Sequence, residues 1–273
     1  MSVDVSTWVG GYPFRHVRGE ADRLVRELDR IGVEQAWAGH LPSFLYRDPA
    51  RGTAELERLI APHPDRLLPV PTVHPGLPAW EEDLNHAAEI GAPAVRVYPN
   101  YQGLAADGGA MRVWTAAVAA LDMPVVLTAR FEDLRQRHPL DTVGDLPAAT
   151  VRALIRSDAH IKVLITNADR TLVEETHFGL TPDEAQRVLC DIGWLWGPPE
   201  DHLHLLLETV GPTRFTFGTG MPLRIPDASV AKLDLLDLTP ERRAAMMGGN
   251  LEGWLKGAGA PGPRRRGGAR RRK

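Results

Sequence analysis

The chain has 273 residues, of which 43% are hydrophobic and 25% charged, a composition typical of a globular protein with a large core. It contains no apolar run of about 18 residues and its first residues lack the pattern of a secretory signal, so we predict no membrane span and a cytoplasmic location. Cys190 is the only cysteine, which excludes an internal disulfide, and its apolar neighbours predict a buried, inert thiol.

The remaining residues show short apolar runs that alternate with helical patterns. The runs predict eight strands, at residues 3–9, 35–38, 66–73, 94–98, 124–128, 162–167, 188–192 and 214–219. Helical periodicity predicts helices at residues 20–31, 55–61, 80–90, 111–121, 148–157, 202–209, 227–235 and 241–247. A capping-box pattern from Thr181 to Glu184 predicts one more short helix before the seventh strand.

Eight strands alternating with helices over about 250 residues predict an α/β fold, a (β/α)8 TIM barrel. The rival fold is an open doubly wound sheet. No Gly-rich phosphate loop follows any strand, which counts against the nucleotide-binding forms of that rival.

The formal net charge of −3 conceals an uneven distribution. Eight basic and no acidic residues lie between Lys256 and Lys273, so removing these eight charges takes −3 to −11 for residues 1–255. Such an acidic body does not favour a nucleic-acid partner. We expect a barrel domain over residues 1–255 and a disordered basic tail over 256–273. We favour a solvated extension for the tail over an electrostatic contact with nucleic acid or anionic lipid.

Five segments, taken in order, resemble the amidohydrolase-related barrel proteins. They are DVSTWVG at 4–10, PTVHP at 71–75, RVYPN at 96–100, RFTFGTGMP at 214–222 and GNLEGWL at 249–255. The resemblance covers most of residues 3–255. It implies a TIM barrel with hydrolytic or decarboxylating chemistry on small carboxylates, amides or lactones. Barrels of this family often pair, so a homodimer is compatible with the resemblance.

The metal-ligand positions are where the chain departs from that family. The family needs His-x-His on strand one, a histidine near the ends of strands five and six, and an aspartate on strand eight, which together activate a metal-bound water. The aligned positions here hold Ser6 and Trp8, Thr128 to Arg130, Thr166 and Asn167, and Gly220. We therefore expect the scaffold without the metal centre, with no metal and no other cofactor.

Active sites of this fold lie at the C-terminal ends of the strands. The polar residues predicted there allow two kinds of site that need no metal. In the first, Arg130 binds a carboxylate in two hydrogen bonds while Tyr98 and Asn100 hold the rest of the ligand. In the second, His74 or Glu132 moves a proton in general acid–base catalysis. The alternative to the first site is a surface loop whose Arg and Glu charges pair with each other. The alternative to the second is a histidine with a structural role, or a glutamate that is paired with an arginine.

His40 and Trp8 complete the predicted substrate-binding set. Trp8 is either a stacking floor for a ligand or a plug that fills the vacated metal site, and we favour the plug. A relocated metal site built from His40, His74 and either His138 or Glu132 lacks close ligand spacing. His202 and His204 spell His-x-His, but on a helix residues i and i+2 face apart.

Two functions remain open. The first, slightly favoured, is a metal-independent hydrolase or lyase acting on a small anionic substrate. The second is a non-catalytic protein that binds a small molecule or a partner protein. An open pocket at the strand ends with Arg130 and a His or Glu inside would support the first function. Closure of the mouth by Trp8 and its neighbours would support the second.

Overall fold

The computed structural model describes residues 1–197 and 199–257. Its strands are β1 (Val3–Val9), β2 (Gln35–His40), β3 (Leu67–Pro69), β4 (Val95–Val97), β5 (Val125–Thr128), β6 (Val163–Thr166), β7 (Val188–Asp191) and β8 (Phe215–Thr216). Neighbouring strands are parallel and follow sequence order, in a sheet of β1 to β3 and a sheet of β4 to β8.

Backbone hydrogen bonds connect the two sheets at both edges. On one side, Arg96 N of β4 donates to Pro71 O, just beyond β3, at 2.8 Å. On the other side, Trp8 N of β1 donates to Met221 O, after β8, at 2.9 Å. The eight strands therefore follow one another around a circuit, which is the (β/α)8 barrel expected from the sequence.

Helices occupy the connections between the strands. They are α1 (Ala21–Arg30), α2 (Pro49–Ile60), α3 (Trp80–Glu89), α4 (Gly109–Ala120), α5 (Ala148–Ser157), α6 (Arg170–His177), α7 (Pro182–Ala185), α8 (His202–Thr209), α9 (Asp227–Leu235), α10 (Pro240–Ala244) and α11 (Asn250–Gly257). The capping box predicted at α7 is confirmed, with Thr181 and Glu184 each bonding the other's backbone N–H. The sequence did not predict α6, which begins where the Asp169 side chain accepts from Leu172 N at 2.9 Å.

Two parts of the apolar core lie around and inside the barrel, below its mouth. One lies between strands and helices, where α1 buries Leu24, Val25 and Leu28. The other fills the barrel towards the N-terminal ends of the strands, and includes Val5 and Leu189. Cys190 is buried, as predicted, and burial raises the pKa of its thiol.

The last helix, α11, continues to Gly257, two residues beyond the predicted end of the domain. Lys256, assigned to the basic tail from sequence, pairs with Glu252 on this helix. The rest of the predicted tail, residues 258–273, lies outside the described residues. None of the helices in the described part of the chain is long and apolar enough to cross a lipid bilayer.

Candidate functional site

Five aromatic side chains fill the barrel mouth at the C-terminal ends of the strands. We call Trp8, Tyr12, Phe44, Tyr98 and Phe131 the aromatic plug; none is more than 6% exposed. The ring centroid of Phe131 lies 4.4 Å from that of Phe44, 5.6 Å from that of Tyr98 and 5.8 Å from that of Trp8. Such tilted and edge contacts are favourable. The mouth is therefore closed by packed rings.

Arg96, in the middle of β4, is buried against this plug. Its side chain is fully buried, and the guanidinium carbon lies 4.7 Å from the centroid of the Trp8 ring. Gly39 provides the space, because a Cβ there would lie 3.0 Å from a Trp8 ring carbon. The only side-chain partner of Arg96 among the described residues is Thr128 Oγ1, at 3.5 Å. In the sequence Arg96 is a charged residue inside an apolar strand, but it was not predicted to be a site residue.

Buried polar groups occupy the ends of β1, β6 and β7. The Asp191 carboxylate accepts from Asn167 N at 3.1 Å, and Ser6 Oγ lies 3.5 Å from Asn167 Oδ1. Asp4 accepts from Thr219 Oγ1 at 2.6 Å. Burial raises the pKa of Asp4 to about 7 and raises that of Asp191 above its ordinary value. Both carboxyl groups already accept internal hydrogen bonds, and neither was predicted from the sequence to be a site residue.

The residues at these strand ends do not fit a divalent metal ion. Within residues 1–197 and 199–257, no group of three or more His, Cys, Asp or Glu side chains is arranged to hold one. The second aligned ligand position holds Trp8, and the Arg96 guanidinium against its ring is a positive charge that repels a cation. Asn167, at the strand-six position, donates its amide N–H to Arg130 O at 2.9 Å.

Arg130, the predicted carboxylate binder, is already neutralised. Its Nη2 lies 2.7 Å from Asp169 Oδ2 and 3.1 Å from Asp145 Oδ2. The guanidinium also lies over the Trp194 ring, 5.6 Å from its centroid. Two carboxylates on one guanidinium leave little attraction for a third anion.

The other predicted substrate contacts also have internal partners or are buried. His40 Nδ1 lies 2.9 Å from Ser43 Oγ and Nε2 lies 3.2 Å from Glu55 Oε2, and burial lowers the pKa of this imidazole. Asn100 donates to a loop carbonyl at 2.7 Å. Tyr98 belongs to the aromatic plug and is fully buried. These side chains therefore do not form one open pocket with Arg130.

The two predicted proton-transfer residues are not brought together. His74 lies half-buried in the turn after β3, where its Nδ1 accepts from Gly76 N at 3.2 Å and burial lowers its pKa. Glu132 is 6% exposed and accepts from Arg15 Nε at 2.6 Å. In the described part of the chain, no hydrogen bond or ion pair joins His74 to Glu132.

An open cleft of about 430 Å³ lies beside the plug, between the loop after β1 and the loop after β8. Its apolar wall includes Trp8, Val17, Met221 and Leu223. Its basic side chains are Arg15, His16, Arg18, Arg23, Arg30 and Arg224, and its acidic side chains are Glu27 and Asp227. This cleft was not predictable from any motif in the sequence.

Two contacts hold the β1 loop in place as one wall of the cleft. Gly10 N donates to Gly19 O at 2.9 Å and so closes the loop at its base. Gly10 has a φ of +92°, which favours glycine, and a Cβ on Gly19 would collide with the Gly10 carbonyl oxygen. Between these glycines, Arg15 Nη2 donates to Leu223 O at 3.0 Å, which ties one wall of the cleft to the other.

The charge of the cleft is not balanced internally. Arg30 bonds both carboxylate oxygens of Asp227 at 2.7 Å, and Nη2 of Arg23 lies 3.7 Å from Glu27. Arg18 is exposed and forms no ion pair with the described residues.

Arg224 lines the cleft and forms no ion pair with the described residues, but its guanidinium packs against Trp194. Its guanidinium carbon lies 3.9 Å from the centroid of the Trp194 ring, and Nη1 donates to Gly193 O at 3.0 Å. Burial lowers the pKa of Arg224, but a guanidinium stays protonated at neutral pH. The cleft therefore presents a net positive charge beside an apolar wall.

The described strands and helices form a (β/α)8 barrel, which confirms the fold that the sequence resemblance implied and which solved structures share. No family profile and no curated protein sequence matches the chain. The likeness therefore rests on solved structures.

Three of these solved structures are decarboxylases. 2,6-Dihydroxybenzoate decarboxylase from Rhizobium is 16% identical, with a TM-score of 0.70 over 93% of this chain and 98% of that chain. 5-Carboxyvanillate decarboxylase LigW from Sphingomonas paucimobilis is 13% identical, with a TM-score of 0.67 over 93% and 98%. A dihydroxybenzoic acid decarboxylase from Polaromonas sp. JS666, with bound manganese and the inhibitor 2-nitroresorcinol, is 17% identical, with a TM-score of 0.62 over 88% and 86%. At these identities the likeness establishes the fold.

Proposed function

We propose that this chain is a non-catalytic protein with an amidohydrolase-like barrel, and that it binds a small aromatic carboxylate in the cleft beside the barrel mouth. The observation that carries the proposal is that the barrel mouth is filled and the cleft beside it is open. Packed rings fill the mouth, while the cleft between the loops after β1 and β8 stays open. A ligand therefore has access to the cleft and not to the strand ends.

The charge of the cleft supports an anionic ligand. Arg18 and Arg224 have no carboxylate partner among the described residues, whereas the acidic side chains of the cleft are paired with Arg23 and Arg30. Guanidinium groups bind carboxylates in two parallel hydrogen bonds. In this proposal the contact with the anion moves from Arg130, which two aspartates neutralise, to Arg18 and Arg224.

The size and apolar wall of the cleft support an aromatic ligand. A volume of about 430 Å³ lies within the range of about 300–1,000 Å³ that is usual for small-molecule sites. Val17, Leu223 and Ile225 supply the accessible apolar surface of that wall, and Trp8 and Met221 lie buried behind it. The decarboxylases of the same fold are named for aromatic carboxylates, which makes 2,6-dihydroxybenzoate a suitable probe.

The alternative function is a metal-independent hydrolase or lyase, and the activities of the structurally similar proteins favour it. It requires the aromatic plug to open and Glu132 to leave Arg15 so that its carboxylate can move a proton. His74 would have to approach the same substrate from the turn after β3. The closed mouth makes this function the second candidate.

Titration calorimetry with 2,6-dihydroxybenzoate separates the two functions. We expect one binding site per chain, an affinity that falls about tenfold or more in Arg18→Ala because a charge-assisted hydrogen bond is lost, and no conversion of the ligand. Arg26→Ala is the matched control, since Arg26 is also exposed but lies outside the cleft. The Arg26→Ala variant should bind the ligand with the affinity of the wild type.

Turnover of the same probe would contradict the proposal. Release of CO2 that is lost in Glu132→Gln and kept in Arg18→Ala would establish the enzymatic alternative. Binding that is equal in the wild type and in Arg18→Ala would place the ligand outside the cleft.

A further inference from the structure

We infer that a second pocket, at the opposite end of the barrel from the cleft, binds a small phosphate monoester with Arg187 and Arg214. We call it the lower pocket. It has a volume of about 490 Å³ and lies at the N-terminal ends of β7 and β8, against one face of α11. The inference goes beyond the proposed function, because none of the residues that line the lower pocket lines the cleft.

Glycines at α11 give the lower pocket its open floor. Gly249, just before the helix, and Gly253 and Gly257 within it are spaced by four residues and all line the pocket. Residues at this spacing share one face of a helix. A Cβ built on Gly253 or Gly257 meets no described atom within 4 Å. The helix therefore presents bare backbone to an open space whose volume is usual for a small-molecule site.

Two guanidinium groups give the lower pocket its positive charge. Neither Arg187 nor Arg214 forms an ion pair within 4 Å among the described residues. Glu184 and Asp158 act on Arg187 from further away, and Glu184 already has another arginine partner at 3.1 Å. The acidic side chain of the lining is Asp183, which is exposed. The lining therefore has two positive charges against one negative charge.

Main-chain carbonyls hold both guanidinium groups in place without neutralising them. Arg187 Nη1 donates to three carbonyl oxygens between residues 155 and 161, at 2.8 to 3.1 Å. Arg214 Nη1 donates to Gln186 O at 3.2 Å. Burial lowers the pKa of both arginines, but a guanidinium stays protonated at neutral pH. Cations that are already fixed and partly dehydrated bind an anion at a lower entropic cost.

A phosphate monoester matches the lower pocket in charge and size. At pH 7 it carries about 1.5 to 2 negative charges, which suits two guanidinium groups better than the single charge of a carboxylate. Its oxygens accept two parallel hydrogen bonds from one guanidinium. The pocket is larger than a phosphate group alone, so the floor formed by α11 is left for the rest of the ligand.

Titration calorimetry of the full chain with glycerol phosphate tests the inference. We expect one saturable site per chain, with an affinity that falls about tenfold or more in Arg214→Gln because a charge-assisted contact is lost. Glycerate, a small molecule with a carboxylate instead of a phosphate, should bind about tenfold or more weakly. Arg18→Ala is the matched control, since it removes a cation of the cleft and should leave the affinity for glycerol phosphate unchanged.

Gly253→Leu fills the lower pocket and keeps both arginines. Leucine favours a helix more than glycine does, so this variant should melt at or above the wild-type temperature and should lose the binding of glycerol phosphate. Gly109→Leu is the matched control, because a Cβ on Gly109 also meets nothing within 4 Å but Gly109 lies on α4. Gly253→Leu should keep the wild-type affinity for 2,6-dihydroxybenzoate, so this inference and the cleft proposal can fail separately.

Three results would overturn the inference. The first is the absence of saturable binding of glycerol phosphate to the wild type, or binding of glycerate with the same affinity. The second is an equal affinity for glycerol phosphate in the wild type and in Gly253→Leu. The third is a loss of binding in Arg18→Ala and not in Arg214→Gln, which would place the phosphate in the cleft.

Discussion

The barrel mouth and the cleft beside it share the side chain of Trp8 but differ in almost every other property. The mouth is closed, and its aromatic rings and the Arg96 side chain are buried. The cleft is open, and its arginines outnumber its acidic side chains. Most barrels carry their active site at this mouth. In this chain packed side chains fill it. A loop-walled surface next to it has the features of a binding site.

The largest expected effect tests whether the mouth is structural. Phe131→Ala removes the ring that contacts Trp8, Phe44 and Tyr98. It should lower the free energy of unfolding in urea by about 3–5 kcal/mol. Phe178→Ala is the control, because Phe178 is 64% exposed, and should change it by less than about 0.5 kcal/mol. A loss below about 1 kcal/mol in Phe131→Ala would mean that the plug is loosely packed.

The second effect concerns the pH dependence of the interior. Burial raises the pKa of Asp4 from 3.8 to about 7, so the folded state retains a proton that the unfolded state releases. This group's stabilisation is fully present below pH 3.8 and is lost as the pH rises through about 7. Between pH 5 and 8 the wild type should lose about 2 kcal/mol of unfolding free energy that Asp4→Asn does not lose.

Asp65→Asn is the control for that comparison, because Asp65 is exposed and should keep the wild-type pH slope. Urea unfolding at several pH values gives both slopes. Equal slopes in the wild type and in Asp4→Asn would show that Asp4 is ionised in the folded protein.

The third effect tests the contact between the two regions. Arg15 ties the cleft wall to Glu132, which is nearly buried, whereas Arg15 is 46% exposed. Arg15→Gln should destabilise the protein by about 1–2 kcal/mol, because it leaves the Glu132 carboxylate without its charged partner. The double variant with Glu132→Gln should recover most of this loss. Strict additivity in that double-mutant cycle would show that the two side chains do not interact.

The smallest effect on stability tests the cleft alone. Gly19→Ala places a Cβ against the Gly10 carbonyl and should open the base of the 10–19 loop. We expect a loss of about 1 kcal/mol or less in global stability, because loops unfold locally, together with faster amide exchange at residues 10–19 and weaker binding of 2,6-dihydroxybenzoate. Gly11→Ala is the matched control, since a Cβ on Gly11 meets nothing within 4 Å. Equal exchange in both variants would contradict the role of the loop base.

The scaffold was predictable from sequence because it depends on local patterns. β1 and the helices α5, α8 and α9 occur at the predicted residues, since apolar periodicity and caps act over a few neighbours. α6 was missed because its start depends on a single side-chain cap at Asp169.

The site was less predictable because long-range partners decide it. In the sequence Arg130 has no evident carboxylate partner, but Asp145, fifteen residues further along the same loop, and Asp169, in the loop after β6, both form ion pairs with it. The cleft depends on two loops that lie some 200 residues apart in the chain and carry no periodic pattern. Arg96 could have been found, because a charged residue inside an apolar strand is costly and calls for an explanation.

The position of a bound aromatic carboxylate distinguishes a ligand site in the cleft from one at the barrel mouth. Crystals soaked in an iodinated benzoate should show the iodine between the loops after β1 and β8, with the carboxylate against Arg18 or Arg224 and the aromatic plug unchanged. Iodine at the strand ends, with Phe131 displaced and the carboxylate against Arg130, would contradict the account.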